Sequence, residues 1–195
     1  MPILGPDDPL PRRPQRVLIA GTSGSGKTTA AIRVSEVLQV PHVEIDALFH
    51  GPRWTPRPDF EAEVQRFSAT PAWATEWQYG QVRPQLAERS DLMVWLDLSR
   101  VQVMQQVLRR TLQRRLRRQV LWNGNVEPPL WRFFTDSEHV VRWAWSTHHE
   151  TPLRIAALQA QHPGLIIVRL RTRVAIERWV EGPLREAATR TIGTP

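Results

Sequence analysis

Short runs of apolar residues alternate along the chain with longer segments in which apolar residues recur every three or four positions. The runs predict buried strands and the periodic segments predict helices. The five predicted strands lie within residues 16–20, 42–46, 73–79, 91–97 and 164–170. Strands that alternate with helices in this way are typical of a parallel sheet with helices on both faces. The sequence therefore predicts a three-layer α/β fold with a five-stranded parallel sheet.

The helices between these strands differ in length and in the spacing of their apolar residues. The longest predicted helix is capped by Ser99, and its apolar residues recur every four positions as Met104, Leu108, Leu112, Leu116 and Val120. The other helices are predicted at residues 29–39, 58–68, 81–89, 130–149, 151–161 and 173–180. The chain of 195 residues is long enough for one domain with its own core. We place this domain at residues 15–186, between a flexible leader (residues 1–14) and a tail (residues 187–195).

The first strand leads into a loop with the pattern G-x-x-x-x-G-K-[ST], and a helix follows it. Its residues are Gly21, Thr22, Ser23, Gly24, Ser25, Gly26, Lys27 and Thr28, with Thr29 directly behind. Glycines let the backbone N–H groups converge on phosphate oxygens, and the helix directs its positive end to the same point. The lysine is expected to reach the β- and γ-phosphates and the Thr28 hydroxyl to ligate Mg²⁺. The loop predicts that the chain binds a nucleoside triphosphate.

The amino-acid composition further limits the kinds of site and partner that the protein can have. The chain has no cysteine, which excludes disulfides and thiolate metal sites, and no apolar run long enough to span a membrane. Lys27 is the only lysine, so arginine carries the net charge of +7. That charge is either a background of arginine-rich composition or an attraction to polyanions such as nucleotides and nucleic acid. A cytoplasmic location is expected.

Two further groups of residues are candidates for the site. Asp46 ends the second predicted strand, where it is either a general base or orienting group for an acceptor, or an ordinary cap of the next helix. Six arginines crowd one part of the long helix, and they form either a solvated face or a clamp for phosphates. They are Arg109, Arg110, Arg114, Arg115, Arg117 and Arg118.

The turn at residues 122–125 is a natural place for a mobile lid, which we predict at about residues 109–149. Aromatic residues are frequent in its second half, and four of the nine tryptophans lie in this segment. Such an array either packs a lid helix onto the domain or stacks on bases of nucleic acid. We favour the packing role, and no ligand spacing among the histidines indicates a metal.

Several of these motifs together resemble one family. The chain resembles bacterial kinase-like proteins known as topology-modulation proteins, relatives of adenylate kinase. The segments that carry the resemblance are residues 21–29, Ile45-Asp46, residues 73–79, 94–98, 108–112 and 168–171, the sequence Leu-Trp-Asn-Gly-Asn at residues 121–125 and Arg-Trp-Ala-Trp at residues 142–145. The resemblance covers residues 16 to about 180. It implies a nucleoside-monophosphate-kinase-like fold with strand order 2-3-1-4-5, in a family whose acceptors are largely unassigned.

The resemblance also implies roles for individual residues. The arginines of the lid, represented by Arg110 and Arg114, would face the phosphates, and Arg171 with Thr172 would lie near the base. Glu76 stands where the family has an aspartate that holds Mg²⁺ through water, and the resemblance favours it as the carboxylate. Asp97 is the alternative from the sequence itself, because an apolar run followed by aspartate is also a pattern of Mg²⁺ sites. The family pattern Trp-x-Ile-Asp-Gly-Asn-Tyr reads Trp-Ala-Thr-Glu-Trp-Gln-Tyr here, so tryptophan also replaces a glycine beside the ligand.

The sequence thus predicts an ATP- and Mg²⁺-dependent kinase that acts on a small acceptor, with Lys27, Asp46, Arg110 and Arg114 as catalytic residues. The acceptor is a nucleotide or another small hydroxyl compound, and the sequence does not predict an oligomeric state. The alternative is a nucleotide-gated protein that binds DNA through the arginine helix and the lid. Nucleic acid is the less favoured partner because no known DNA-binding motif is present.

Overall fold

The computed structural model describes residues 3–116 and 149–190, without the side chains of residues 110–116. Its strands are β1 (Arg16–Gly21), β2 (His42–Val43), β3 (Trp73–Glu76), β4 (Leu92–Leu96) and β5 (Ile166–Leu170). They form one sheet in the order β2-β3-β1-β4-β5, and every neighbouring pair is parallel. The predicted sheet and strand order are confirmed.

Helices connect the strands and cover both faces of the sheet. They are α1 (Lys27–Leu38), α2 (Ile45–Phe49), α3 (Phe60–Ser68), α4 (Arg83–Arg89), α5 (Arg100–Leu116), α6 (Glu150–Gln161), α7 (Arg173–Trp179) and α8 (Arg185–Ala188). A π-helical turn, Val180–Leu184, joins the last two. In the described ranges no helix is long and apolar enough to cross a membrane.

Strand β4 lies between β1 and β5, and its side chains contribute to the two hydrophobic cores on opposite faces of the sheet. Leu92, Val94 and Leu96 pack with α1, α7 and α8 on one face. Met93 and Trp95 pack with α2, α3, α4 and α6 on the other. Successive side chains of a strand point to opposite faces, so a strand that is covered on both sides must be apolar throughout. This requirement explains the unbroken apolar run in the sequence.

Helix α5 packs differently from the prediction. Its buried residues are Val103 and Val107, which form a small cluster with Leu98, whereas Leu108 is 54% exposed. The predicted apolar face through Leu108 is therefore wrong at that position. Apolar residues occupy two neighbouring faces of this helix, and the buried one packs on Leu98, on Ile176 of α7 and, through Val107, close to Gly24.

Two residues of the predicted leader, Leu4 and Leu10, pack with the domain. Leu10 is buried in the core, and Leu4 pairs with the outer edge of β5 through hydrogen bonds of 2.8 Å to the carbonyl of Ile167 and from the N–H of Arg169. An edge strand has unpaired backbone groups that such a segment can satisfy. At the other end, Ala187 is buried within α8, where the tail was predicted to begin.

Candidate active site

The predicted phosphate loop joins β1 to α1 and has the backbone conformation for which its glycines are needed. Gly24 has φ 81° and Gly26, which caps α1, has φ 92°. A Cβ at Gly24 would lie 2.0 Å from Cγ2 of Val107 on α5. Because left-handed backbone and this close approach both favour glycine, no larger residue fits at Gly24.

The interior of the loop has a cation and an unsatisfied hydroxyl. Lys27 is only 8% exposed, and its Nζ donates to the carbonyl of Thr22 at 3.2 Å. Ser25 is buried, and its Oγ has no hydrogen-bond partner among the described residues. Buried polar groups normally have partners, so an unsatisfied hydroxyl beside a positive charge fits a loop that closes around an anion. Thr28 is half-buried beside Lys27, and Thr29 is exposed.

Asp46 lies in the first turn of α2, because β2 ends at Val43. The prediction that it ends a strand is therefore wrong, although parallel β2 still delivers it to the carboxyl edge of the sheet. Its Oδ1 accepts hydrogen bonds from the hydroxyl of Tyr79 at 2.6 Å and from Nε2 of Gln78 at 3.0 Å. Its Oδ2 accepts no hydrogen bond from the described residues, so this oxygen can accept one from a ligand.

Tyr79 also connects Asp46 to a histidine. The tyrosine hydroxyl lies 3.2 Å from Nε2 of His50, and since it donates its only proton to Asp46, the imidazole must donate through Nε2–H. Burial, together with the charge of Asp46, raises the pKa of Tyr79 and keeps the phenol protonated. Burial also lowers the pKa of His50, although Asp46 opposes this effect. The two donors to Oδ1 of Asp46, the phenol of Tyr79 and the amide of Gln78, are therefore both neutral.

Aromatic rings surround this group. Phe49 stacks on Tyr79 with ring centroids 4.0 Å apart, and Trp54 meets the ring of His50 edge-on at 5.1 Å. Phe60 packs edge-on against Phe49 and Tyr79. The packing restricts the side chain of Tyr79 and so holds its hydroxyl at Asp46.

The two carboxylates predicted to support Mg²⁺ both have protein partners. Glu76 is 1% exposed, and its Oε2 accepts from the N–H of Ile45 at 3.2 Å. Its Oε1 lies 3.5 Å from Nε2 of His42. Asp97 accepts from Nε and Nη2 of Arg169 at 2.8 and 2.6 Å, with Nε of Arg171 at 3.7 Å. Within the described part of the chain, no three His, Asp or Glu side chains are grouped to hold a metal.

Glu76 has a clear structural effect, because it ties β3 to the junction of β2 and α2. Burial raises the pKa of Glu76, but the adjacent His42 and the N–H of Ile45 outweigh it, and the pKa is lowered overall. A carboxylate with a lowered folded-state pKa stabilises the protein above its unfolded-state pKa, and this stability is lost as the pH falls through the folded-state value.

Replacing Glu76 by glutamine should therefore make the protein less stable at neutral pH and less sensitive to acid. We expect Glu76→Gln to lower the free energy of unfolding at pH 7 by about 1–3 kcal/mol. Urea denaturation between about pH 7 and pH 3 measures the effect, with Glu63→Gln as a control from a surface ion pair of α3. An unchanged pH dependence in Glu76→Gln would contradict this role.

The other predicted site residues are described only in part. Arg109 is exposed on α5, but the side chains of Arg110 and Arg114 and most of the predicted lid lie outside the described residues, so their roles stay predictions. Arg171 is exposed at the end of β5, beside Asp97. Thr172 caps α7 by accepting the N–H of Ala175 at 3.0 Å. A role of Arg171 in nucleotide binding is likewise still a prediction.

Comparison with known proteins finds solved structures with a similar fold. No protein-family model matches the chain, and no curated protein matches it at a significant level. A gluconokinase from Sinorhizobium meliloti 1021 has 18% identity over 90% of this chain and 95% of its own, with a TM-score of 0.51. Shikimate kinase from Acinetobacter baumannii, in complex with shikimate, has 14% identity over 89% of this chain and 88% of its own, with a TM-score of 0.49.

At these low identities the likenesses concern the fold alone. The chain shares its overall fold, here a five-stranded parallel sheet in the order 2-3-1-4-5, with the gluconokinase. Membership of the topology-modulation family stays a prediction.

Proposed function

We propose that this protein is an ATP-dependent kinase that transfers the γ-phosphoryl group to a hydroxyl of a small acceptor. The observation that carries the proposal is the pairing of two features at one edge of the sheet. One is the glycine-shaped loop with buried Lys27, and the other is the carboxylate of Asp46 with one unengaged oxygen. The likeness in fold to a gluconokinase is consistent with it.

In this proposal each feature has a separate role. The loop and Lys27 hold the β- and γ-phosphates, where positive charge and backbone N–H groups stabilise the charge that develops during transfer. Oδ2 of Asp46 accepts the proton of the acceptor hydroxyl, while Tyr79 and Gln78 fix Oδ1. Arg110, Arg114 and Arg171 would add positive charge around the nucleotide, and a cytoplasmic location suits the use of ATP.

The loop also fits a magnesium ion bound with the nucleotide. The chemistry that Mg²⁺ would supply there is neutralisation of charge on the phosphates. Thr28 would contribute its hydroxyl, because it follows Lys27 at the start of α1. Glu76 would contribute through water only after leaving its contacts with Ile45 and His42.

The experiment that tests the function uses ATP labelled on the γ-phosphate, with Mg²⁺ and a panel of sugars, sugar acids, nucleosides and nucleotides. A labelled organic product is expected, and it identifies the acceptor class. Label found only in inorganic phosphate, or only in ATP, would contradict transfer to the tested acceptors. In that case the nucleotide-gated DNA-binding alternative would be tested by salt-dependent binding to duplex DNA.

A further inference from the structure

The side chain of Arg83, at the start of α4, is a half-buried cation. Its guanidinium makes no hydrogen bond or ion pair with any residue that the structure describes, and its Nε is inaccessible to solvent. An uncompensated charge that is removed from water is costly, so such a group usually pairs with a counter-ion. Its position therefore indicates that an anion is its missing partner.

The guanidinium of Arg83 has a defined support. It lies over the ring of Trp77, 5.4 Å from the centroid, and Nε1 of Trp77 donates to the carbonyl of Arg83 at 3.2 Å. Trp77 is itself buried. A guanidinium held against an aromatic face keeps its N–H groups in one plane, which suits a carboxylate or a phosphate.

A second arginine increases the positive charge at this place. Burial lowers the pKa of Arg83, and the nearby charge of Arg154 on α6 lowers it further. Glu150 is the one acidic group with an opposing effect on Arg83, and it is already paired with Arg154 one turn away on α6. Two arginines thus share one carboxylate, which leaves a net positive charge.

This positive charge is connected to the proposed acceptor site. The backbone N–H of Arg83 donates to the carbonyl of Tyr79 at 3.2 Å, and the hydroxyl of the same Tyr79 holds Asp46. The loop from β3 to α4 therefore supplies both the group that orients Asp46 and the unpartnered guanidinium. Both lie at the carboxyl edge of the sheet, where ligands bind in open α/β folds.

We propose that Arg83, supported by Trp77 and flanked by Arg154, binds an oxyanion of the acceptor, which is a carboxylate or a phosphate monoester. The acceptor class is then a hydroxy acid or a sugar phosphate and not a neutral polyol or nucleoside. This assignment of the acceptor rests on the proposed kinase function, whereas the anion site itself can be tested without catalysis.

The binding test titrates inorganic phosphate into the full chain and follows the heat of binding. We expect Arg83→Gln to weaken one binding event by about tenfold or more and Arg83→Lys to weaken it less, because lysine keeps the charge but not the planar fork. Arg66→Gln is the matched control, since Arg66 is 72% exposed and pairs only with Glu63. Lys27→Ala should leave this event unchanged, which separates it from the phosphate loop.

Equal phosphate binding in Arg83→Gln and Arg66→Gln would overturn the site, and so would the absence of any binding that survives Lys27→Ala. A thermal unfolding curve checks that Arg83→Gln is folded. If Arg83→Gln is not folded, Arg83→Lys is measured in its place. A phosphate affinity in Arg83→Lys equal to that of the wild type would then overturn the role of the planar guanidinium.

The transfer test compares gluconate with sorbitol, and glucose 6-phosphate with glucose, so that the carboxylate and the phosphate are examined separately. We expect the anionic member of one pair to have a kcat/KM about tenfold or more above its neutral partner, and Arg83→Gln to remove this preference through KM. The surface control Arg66→Gln should keep the preference. Equal use of both members by the wild type would overturn the assignment. If none of the four compounds is phosphorylated, the result counts against the proposed kinase, and the phosphate titration still decides the anion site.

Discussion

Lys27→Ala is expected to lower phosphoryl transfer by about 100- to 1000-fold, which corresponds to about 2.7–4 kcal/mol of lost transition-state stabilisation. The lysine is buried at the loop and is held by the carbonyl of Thr22. No other lysine exists in the chain, and a surface arginine cannot take its place inside the loop. Nucleotide affinity should fall as well, because the β- and γ-phosphates lose their buried cation.

The presence of a single lysine also allows nucleotide binding at the loop to be measured directly. Since Lys27 is the only lysine, an amine-acylating reagent can modify one side chain, apart from the terminal amine, which peptide mapping distinguishes. Mg²⁺ and ATP should protect Lys27 from acylation in the wild type and in the surface control Arg66→Ala. Wild-type nucleotide affinity and transfer in Lys27→Ala, or acylation that ATP does not slow, would contradict the assignment of the loop.

The parts of this protein that could be predicted from sequence are those fixed by local pattern. The run from Leu92 to Leu96 is apolar at every position because the sheet is covered on both faces. The loop with Gly24 and Gly26 was predictable because left-handed backbone restricts the residue type. In both cases the physical constraint acts within a few consecutive residues, so the sequence shows it directly.

Features that depend on contacts between distant segments could not be predicted in this way. Strand β2 has only two residues, which is too short for a pattern to separate it from α2, and Asp46 was therefore placed one element too early. The hydrogen bonds of Asp46 with Gln78 and Tyr79 join residues 32 and 33 positions apart. Their only sequence signal was that polar residues follow a predicted strand.

Arg83 is a second feature that could not be predicted from the sequence. A single arginine at the start of a helix has no distinctive spacing, and its missing partner is visible only when its neighbours are known. Trp77 was conspicuous because the topology-modulation proteins that the sequence resembles have glycine at that position. In the structure the indole is buried and supports Arg83. In our proposal, this departure from the pattern of the resembled family marks a site for an anionic acceptor.

Asp46→Asn tests the acceptor side of the site and should lower kcat by about 100- to 10,000-fold, the range expected when a general base is removed. Asparagine is nearly the same size and can still accept from Tyr79 and Gln78, so the packing around it should be kept. It cannot take a proton at the position of Oδ2. We therefore expect ATP affinity, and protection of Lys27 by ATP, to match the wild type, while transfer to the acceptor is lost.

The control for this change is Asp59→Asn, which removes a carboxylate from an exposed pair with Arg57. Tyr79→Phe adds a graded test, because it removes one donor from Oδ1 but leaves Gln78, so its effect should be smaller, about tenfold. Initial rates with labelled ATP across acceptor concentrations separate kcat from KM. If Asp46→Asn kept the wild-type kcat, Asp46 would serve only as a structural residue of α2, and the proton of the acceptor would have to pass to another group at the carboxyl edge of the sheet.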